Sequence, residues 1–526
     1  MKSLNLPLLF IFLLSLNICQ TKNFLSKVQL SAQADSCKDL NLTPTKENVK
    51  LIGRYYQNDG VTWLVQSGSA IEFYASALSA GVVIVGGGSI YNDPNYRSRF
   101  AVYVDDEVFL DTTLGEPELK VDIFKENLEK NAKIKVMLLS EANNGGIGVK
   151  NINLNSCNTT PIKPTEKKDL TIEFIGDSIT CAYGVEGANQ YENFKTTTEN
   201  FSKSYAYLAA KKLNADYSAV SYSGHGIISG YSANGEKNAE ALVPDVYTKI
   251  SKNTDYPGEW DFKNNPVDVV FINLGTNDLN YVKADPEHRN DEFIEAYAAF
   301  LKLIREKNPD SYIIGTVGIM GGDEEIYPLI ETAVGIVGDR KISCYKSTVQ
   351  NMNDGLGSDW HPSLVTQTYN SYVVSDKICN AIGIESDQVG LDVAVDSVYD
   401  VYKNEQSGVN LSFWVGYDKS FWINVGIGGK EPNDIEAKCS GIQLKKGGVY
   451  ILEFEYTSTK DQEVPFLIRG TKEHFKDSVK STSAKVKYSE EVTIDENDKN
   501  AELVFLLGAL DSFGFTLSNI KLTKIK

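Results

Sequence analysis

Ser178 is the residue of this chain best placed to act as a nucleophile. It follows the apolar, β-favouring run 170–175 and Gly176, so the sequence predicts a serine at the carboxyl end of a buried strand. Open α/β sheets bind their ligands at that end. Because a serine hydroxyl is inert until a base takes its proton, this hypothesis requires a histidine elsewhere in the chain.

The choice of base is narrow, because the sequence contains only four histidines: His225, His288, His361 and His474. His474 falls in a β-rich C-terminal region, and His288 falls in a charged stretch. His361 lies in Gly357-Ser-Asp-Trp-His-Pro-Ser363, a loop that leads into a predicted helix. His225 follows another predicted strand, where it is an alternative base, a residue lining the site, or a loop residue without a catalytic role.

Alternating strands and helices between 169 and 388 would position these residues. The predicted strands are 170–175, 217–222, 267–274, 311–317 and 341–345. The predicted helices are 202–213, 291–307, 324–337 and 364–382, the first of them capped by Asn200 or Ser202. This alternation predicts a mostly parallel sheet covered by helices on both faces.

Regions of all-β character flank the α/β region. Short alternating runs separated by turn residues predict a β-sandwich or jelly roll over 37–158, followed by a polar, proline-bearing linker at 159–168. Similar runs predict a second β-sandwich over 392–526. Within it, Trp414 and Trp422 are predicted to be core residues rather than ligand-stacking ones.

Four short motifs resemble the sequence blocks of the SGNH, or GDSL-type, hydrolases. Gly176-Asp-Ser-Ile-Thr180 resembles the first block, Gly224 matches the glycine of the second, Gly275-Thr-Asn-Asp278 resembles the third and Asp359-Trp-His-Pro362 the fifth. They occur in the family's order over about 185 residues. The resemblance implies a three-layer, flavodoxin-like α/β fold for the catalytic domain at 169–388.

A narrower resemblance covers the N-terminal region and the catalytic motifs, and a separate one covers the C-terminal region. The β-rich region before the catalytic motifs, the run Arg99-Phe-Ala-Val-Tyr-Val-Asp-Asp106 within it and Gly176-Asp-Ser-Ile-Thr-Cys181 resemble carbohydrate esterase family two, whose members remove O-acetyl groups from plant polysaccharides. The segment 392–526 is similar to carbohydrate-binding modules of the β-sandwich type. The resemblance implies an acetyl xylan esterase-like enzyme acting on a xylan- or mannan-type polysaccharide, with no metal and no organic cofactor.

The family resemblance also assigns catalytic roles. Ser178 would be the nucleophile, and His361 would be the general base and then the general acid. The oxyanion would be bound by the main-chain N–H groups of Ser178 and Gly224 and by the side-chain amide of Asn277.

One position departs from the family pattern. The family's acidic residue lies three residues before the histidine, where this chain has Ser358. Asp359 lies two residues before His361, so either its carboxylate orients the histidine in a triad, or a backbone carbonyl does so in a dyad.

Other residues near the motifs have competing interpretations. Trp360 is a sugar platform or a packing residue, and His225 is a second candidate substrate contact. Asp177 and Asp278 are expected to organise their loops rather than to react. Cys181 is expected to be a small buried filler.

Two further functions remain open on the same sequence. A lipid esterase or lysophospholipase would use the same motifs but would need an apolar acyl groove or lid. A lectin-like carbohydrate-binding protein would carry an inactive hydrolase core. The complete set of Ser178, Gly224, Asn277 and His361 argues against an inactive core.

Charge and the N-terminus restrict the partners and the compartment. The net charge is -18 and the sequence contains no basic stripe, which argues against nucleic acid and anionic membrane surfaces as partners. Residues 1–20 resemble a secretory signal peptide, the alternative being an uncleaved signal anchor, and no other segment is long and apolar enough to span a membrane. The oligomeric state is left open.

Cysteines and glycosylation motifs fit an exported protein. Six cysteines remain beyond the signal peptide, and we predict disulfides Cys37–Cys157 and Cys344–Cys379, with Cys181 and Cys439 free. Motifs for N-glycosylation begin at Asn41, Asn158, Asn200 and Asn410. The sequence therefore predicts a secreted glycoprotein, and the family resemblance implies that its partner is a polysaccharide.

Overall fold

The computed structural model describes residues 37–394, 397–416, 419–510 and 512–526. The predicted signal peptide at 1–20 lies outside these residues. None of the described helices is long and apolar enough to cross a membrane.

The N-terminal region forms one ten-stranded sheet. Its strands are Lys38–Leu42 (β1), Lys50–Ile52 (β2), Tyr55–Asn58 (β3), Val61–Leu64 (β4), Ala70–Gly86 (β5), Arg99–Val104 (β6), Glu107–Thr113 (β7), Glu118–Leu138 (β8), Ile147–Ser156 (β9) and Ile162–Pro164 (β10). The order is β3-β4-β9-β5-β8-β6-β7, with β1 paired to β9 and with β2 and β10 paired to β5. The predicted linker at 159–168 therefore contains a strand of this sheet, and the jelly-roll description stays a prediction.

A five-stranded parallel sheet follows. Its strands are Thr171–Gly176 (β11), Asp216–Ser221 (β12), Val269–Asn273 (β13), Tyr312–Val317 (β14) and Ile342–Lys346 (β15). The order is β12-β11-β13-β14-β15, and every neighbouring pair is parallel. This confirms the predicted parallel sheet, and the order 2-1-3-4-5 is that of flavodoxin-like folds.

Helices cover both faces of the parallel sheet. They are Ser178–Cys181 (α1), Tyr205–Lys212 (α2), Leu279–Ala284 (α3), Pro286–Lys307 (α4), Tyr327–Val337 (α5) and Leu364–Ile382 (α6). Alternation along β11 assigns its side chains to the two faces: Phe174 packs in one core with residues of α2 and α6, whereas Ile175 packs in another with residues of α4 and α5.

The start of α2 differs from the prediction. The N-cap is Ser204, whose side chain accepts a hydrogen bond from the Ala206 N–H at 3.2 Å. Asn200 instead caps the short 3₁₀ turn Phe201–Lys203 that precedes the helix. The predicted caps, Asn200 and Ser202, were wrong because this turn separates them from the helix.

The N-terminal sheet packs directly against the α/β region. Ala101 and Met137 from the sheet share one buried core with Phe174 and Phe201 from the α/β region. A buried ion pair of 3.0 Å joins Arg54 to Glu173 of β11. Buried apolar and charged contacts therefore fix these two regions against each other.

The C-terminal region forms two antiparallel five-stranded sheets around one core. The strands are Val398–Lys403 (β16), Asn410–Val415 (β17), Phe421–Ile427 (β18), Ile435–Leu444 (β19), Val449–Ser458 (β20), Gln462–Arg469 (β21), Glu473–Ser481 (β22), Val486–Thr493 (β23), Asp498–Leu506 (β24) and Phe513–Lys524 (β25). The sheet orders are β16-β19-β24-β21-β22 and β17-β18-β25-β20-β23.

Trp414 and Trp422 do not belong to this core, contrary to the prediction. Phe421, Ile423 and Val425 of β18 point into the core, so strand alternation turns Trp422 outward. Trp414 lies opposite Trp422 in register, and the two residues are 56% and 55% exposed. They form an exposed pair across the two strands.

The disulfide predictions had different outcomes. Cys37–Cys157 is formed, which confirms that pairing. Cys344–Cys379 was wrong, because both thiols are free: Cys344 packs against the face of the parallel sheet that α5 covers, whereas Cys379 lies on α6 at the opposite face. Cys181 and Cys439 are free, as predicted.

One of the glycosylation motifs is inaccessible in this fold. Asn200 is 5% exposed, and its side-chain amide donates a hydrogen bond to Glu186 at 2.8 Å. Asn41, Asn158 and Asn410 are exposed. Glycosylation of these three asparagines stays a prediction.

Candidate active site

Ser178 lies where the sequence predicts it, directly after β11 and at the first residue of α1. Asp177 caps this helix by accepting a hydrogen bond from the Ile179 N–H at 3.0 Å. Gly176 is required just before the turn, since a Cβ there would lie 2.0 Å from the Thr180 hydroxyl oxygen. The tight turn therefore holds the Ser178 hydroxyl at the carboxyl end of the central strand.

His361 contacts this hydroxyl. Its Nε2 lies 2.9 Å from Ser178 Oγ, and its Nδ1 lies 3.0 Å from the main-chain carbonyl oxygen of Asp359. A carbonyl only accepts hydrogen bonds, so Nδ1 must carry the proton and Nε2 must be the free base. Burial lowers the pKa of His361 to about 4, which keeps the imidazole neutral near pH 7.

The Asp359 carboxylate does not contact His361. Its Oδ2 accepts hydrogen bonds from the Tyr183 hydroxyl at 2.9 Å and from the Phe194 N–H at 3.0 Å. Asp359 and Trp360 both have left-handed backbone conformations, with φ of 50° and 65°. This geometry supports the dyad rather than the triad, with Asp359 orienting the histidine through its main chain.

Tyr183 is a site residue that the sequence analysis missed. Its ring lies 4.2 Å from the His361 ring and stacks on Phe194 at 4.0 Å, both measured between centroids. Burial and the neighbouring Asp359 carboxylate raise the pKa of its hydroxyl, which remains a hydrogen-bond donor. Nothing in the spacing of Tyr183 distinguishes it from the other tyrosines of the chain.

Two main-chain N–H groups near the nucleophile are available to a ligand. In the part of the chain that the structure describes, neither Ser178 nor Gly224 uses its N–H in a hydrogen bond. Gly224 has φ of 75°, a conformation that favours glycine, and a Cβ there would meet no atom within 4 Å. Both groups could donate to an oxyanion.

Asn277 lies beside the loop of Gly224 and is 8% exposed. Its Nδ2 donates to the His225 carbonyl oxygen at 2.9 Å and more weakly to Asp177 Oδ2 at 3.3 Å. One amide hydrogen therefore holds the loop, whereas the other makes a long contact that a stronger acceptor could replace.

Two buried carboxyl groups organise the surrounding loops, as expected. Asp278 accepts hydrogen bonds from three consecutive main-chain N–H groups at 227–229. Burial raises the pKa of Asp278 to about 6, and burial raises the pKa of Asp177 to about 7. Neither carboxyl contacts His361.

His225 is buried and holds its loop through both ring nitrogens. It is 3% exposed, its Nδ1 lies 3.0 Å from the Ser223 carbonyl oxygen, and its Nε2 lies 3.0 Å from Lys252 Nζ. Both ring nitrogens are thus engaged within the protein. These contacts leave no free ring nitrogen for a base, and the interpretation of His225 as a substrate contact stays a prediction.

Trp360 lies at the surface beside the dyad. It is 47% exposed, and its ring makes an edge-on contact with the ring of Tyr191 at 5.6 Å between centroids.

Cys181 is fully buried, and burial raises the pKa of its thiol, so it is a packing residue rather than a nucleophile. Among the described residues, no group of three His, Cys, Asp or Glu side chains could hold a metal ion.

Comparison with known proteins finds sequence similarity in the α/β region. Residues 174–340 match the GDSL-like lipase/acylhydrolase family. The chain is 35% identical over 228 residues to the cellulase/esterase CelE of Acetivibrio thermocellus, a match that covers 42% of this chain and 26% of CelE. The chain thus spans about a quarter of the length of that relative.

Two further proteins extend the similarity. The acetylxylan esterase/glucomannan deacetylase of Cellvibrio japonicus is 23% identical over 323 residues, covering 60% of this chain and 84% of that protein. A family two carbohydrate esterase from Clostridium thermocellum, solved in complex with cellohexaose, superposes with a TM-score of 0.55 at 26% identity, over 64% of this chain and 99% of that one. Residues 174–340 are therefore similar to the GDSL-like lipase/acylhydrolase family, and the fold is similar to that of a family two carbohydrate esterase.

Proposed function

We propose that this protein is a carbohydrate esterase that removes O-acetyl groups from a polysaccharide of the xylan or mannan type. The observation that carries the proposal is the 2.9 Å contact between Ser178 Oγ and His361 Nε2 beside two unused main-chain N–H groups. A serine, a neutral base and an oxyanion site are the parts that acyl transfer needs. The esterase names of the relatives support the same reaction class.

The first half of the reaction forms an acetyl-enzyme. Ser178 Oγ attacks the acetyl carbonyl carbon while its proton moves to His361 Nε2. The negative charge that develops on the carbonyl oxygen accepts hydrogen bonds from the N–H groups of Ser178 and Gly224. The same oxygen accepts a hydrogen bond from the second amide hydrogen of Asn277, which gives up its 3.3 Å contact with Asp177.

The second half releases acetate. When the tetrahedral intermediate collapses, the bond to the sugar oxygen breaks, and that oxygen takes the proton from His361 Nε2. Water then attacks the acetyl-enzyme and gives one proton to the same nitrogen, which returns it to Ser178 as acetic acid leaves and ionises to acetate in the solvent. Throughout both steps the carbonyl of Asp359 holds Nδ1–H, which stabilises the imidazolium that forms.

Exposed aromatic rings beside the dyad suit a sugar rather than a lipid. Trp360 and Tyr191 are 47% and 75% exposed and meet at a right angle next to His361. Aromatic faces bind the apolar C–H face of a sugar ring while leaving its hydroxyl groups in water. We therefore propose Trp360 as the platform that holds the acetylated sugar.

We also propose that 392–526 binds polysaccharide without reacting with it. The pair of Trp414 and Trp422 supports this second function, because two large rings at 56% and 55% exposure on a sheet face are unusual without a ligand. Ser412 and Asn424 extend the face by one row, directly opposite each other in register. Neutral hydrogen-bonding groups beside aromatic rings fit a neutral glycan.

The proposed compartment is extracellular. The signal-peptide pattern at 1–20 supports export, and the Cys37–Cys157 disulfide fits an oxidising environment. Polysaccharide substrates are found there as well.

The esterase proposal can be tested with two sets of substrates. Acetate release from acetylated xylan and mannan should be measured beside hydrolysis of nitrophenyl esters with short and long acyl chains. We expect acetyl esters to be preferred, and we expect Ser178→Ala to abolish hydrolysis. A preference for acyl chains of about eight carbons or more would favour a lipid esterase, because a long chain needs an apolar groove.

A further inference from the structure

Glu141 is a buried carboxylate in the N-terminal region that contacts the loop of the oxyanion site. It lies three residues beyond the end of β8 and is 2% exposed. Its Oε2 accepts a hydrogen bond from the Ser223 N–H at 2.7 Å. Ser223 immediately precedes Gly224, so the carboxylate fixes the peptide group next to the one that would bind the oxyanion.

The position of Glu141 is itself held from several sides. Its main-chain N–H donates to Glu199 Oε2 at 2.9 Å, and its Oε2 also accepts from the Asn143 side-chain amide at 2.9 Å. Burial raises the pKa of both carboxyls, most strongly that of Glu199, which also lies close to the Glu141 carboxyl. The nearby charge of Lys252 favours the ionised form of Glu141.

The loop after Ser223 is anchored at both ends. On one side, the Ser223 N–H is bound by Glu141, and its carbonyl oxygen contacts Nδ1 of His225 at 3.0 Å. On the other side, Asp278 binds the N–H groups of 227–229. Gly224 lies between the two anchors with a left-handed backbone, and its carbonyl oxygen accepts a hydrogen bond from the Tyr231 N–H at 2.8 Å.

This arrangement determines where the Gly224 N–H points. A glycine at φ of 75° has many accessible conformations, so the direction of its N–H depends on the peptides that flank it. An oxyanion donor stabilises the transition state only when it is already aimed at the developing charge. A carboxylate bound to the preceding N–H provides this fixed direction.

We infer that Glu141 is a positioning residue of the oxyanion site, through which the N-terminal sheet region takes part in ester hydrolysis by the α/β domain. The inference rests on the proposed function, because it concerns the oxyanion that forms when Ser178 attacks. The N-terminal region would then have a second role, in positioning the oxyanion site, besides its packing against β11.

The test uses the full-length protein and a reagent that labels Ser178 covalently. The labelling rate measures the reactivity of Ser178 without depending on which ester is the natural substrate. A fluorophosphonate reacts with Ser178 by forming an O–P bond and releasing fluoride, through a charged, oxyanion-like state, so the rate depends on the dyad and the oxyanion donors. We expect Glu141→Leu to lower the rate constant about 10- to 100-fold, less than the 10²- to 10³-fold loss when an oxyanion donor is removed outright. Glu141→Gln keeps an acceptor for the Ser223 N–H and should recover most of the rate.

Two further variants separate positioning from folding. Glu199→Gln removes an acid from the same buried cluster but keeps an acceptor, so its rate should stay within about threefold of wild type. Glu141→Asp keeps the carboxyl group but withdraws it by one methylene, so this variant should react slowly even if Glu141→Leu does not fold. On acetyl esters, Glu141→Asp should lower kcat with little change in KM, as expected for an interaction that acts in the transition state.

The outcomes separate the inference from the proposed function. Wild-type labelling rates in folded Glu141→Asp and Glu141→Leu would overturn the inference, whether or not the protein releases acetate. If the wild-type protein is labelled but releases no acetate from any acetylated glycan, the proposed substrate is wrong. A slower labelling of the Glu141 variants would in that case still support the positioning role. A wild-type protein in which Ser178 does not react at all would overturn both.

Discussion

Replacing Asp359 by asparagine separates the two possible orienting groups of His361. The His361 Nδ1–H is bound by the main-chain carbonyl of Asp359 at 3.0 Å, whereas the carboxylate binds Tyr183 and Phe194. Asparagine tolerates the left-handed backbone that Asp359 adopts at φ of 50°. The Asp359→Asn variant should therefore keep the carbonyl in place and lose only the charge of the side chain.

The expected magnitudes follow from these contacts. The carboxylate accepts two hydrogen bonds, and each should weaken by about 1 kcal/mol when a neutral amide oxygen replaces it. Stability should fall by about 2 kcal/mol, or roughly 4 to 8 °C in Tm for a domain of this size. The rate of ester hydrolysis should fall by less than about tenfold, whereas loss of an orienting carboxylate in a true triad costs about 10⁴-fold.

The assay compares kcat/KM for an acetyl ester with Tm in two variants. Asp359→Ala serves as the contrast, because alanine disfavours the left-handed conformation and removes both acceptors, so it should displace the carbonyl and reduce the rate much further. A loss near 10⁴-fold in a well-folded Asp359→Asn protein would refute the dyad. It would mean that the carboxylate turns toward His361 during the reaction.

Three further predictions concern pH, the oxyanion and the C-terminal sheets. Burial lowers the pKa of His361 to about 4, and the base must be neutral to act, so kcat/KM should stay level from pH 8 to about pH 5 and fall at lower pH. A fall in kcat/KM with its midpoint near pH 6.5, the pKa of a free histidine, would contradict this prediction. Asn277→Ala should lower kcat about 10²- to 10³-fold with little change in KM, and a near-normal kcat would exclude its amide as an oxyanion donor. Trp422→Ala and Trp414→Ala should each weaken pull-down on insoluble polysaccharide while leaving hydrolysis of a soluble ester unchanged, and undiminished pull-down by the double variant would exclude this face.

The sequence was sufficient for the parallel sheet because its strands are strong local signals. Apolar runs such as 170–175 and 267–274 lie within a residue or two of the observed strands β11 and β13. The pairing of Cys37 with Cys157 was also predictable, since the two residues bracket one β-rich region. The Cys344–Cys379 pairing failed because the sequence does not show on which face of a sheet a helix packs.

The exposed tryptophans show how a local pattern can be misread. Residue type favours burial of Trp422, but the alternation of Phe421, Ile423 and Val425 gives those three residues the inward positions of β18. The period-2 alternation along β18, taken alone, predicts that Trp422 is exposed. The exposure of Trp414 cannot be predicted in this way, because β17 has no clear alternation of buried and exposed residues.

The parts of the site that sequence could not reveal are those that act through the main chain. His361 is oriented by a carbonyl, Gly224 offers an N–H, and Glu141 binds the N–H of Ser223. Every residue has such groups, so no residue type or spacing identifies them. Asp359 illustrates the consequence: a carboxylate two residues before the histidine resembles a displaced triad member, yet its carboxylate binds Tyr183 while its carbonyl faces the base. A shift of one residue in the acid is therefore compatible with the proposed ester hydrolysis, because an acceptor at Nδ1 is enough to orient a neutral imidazole.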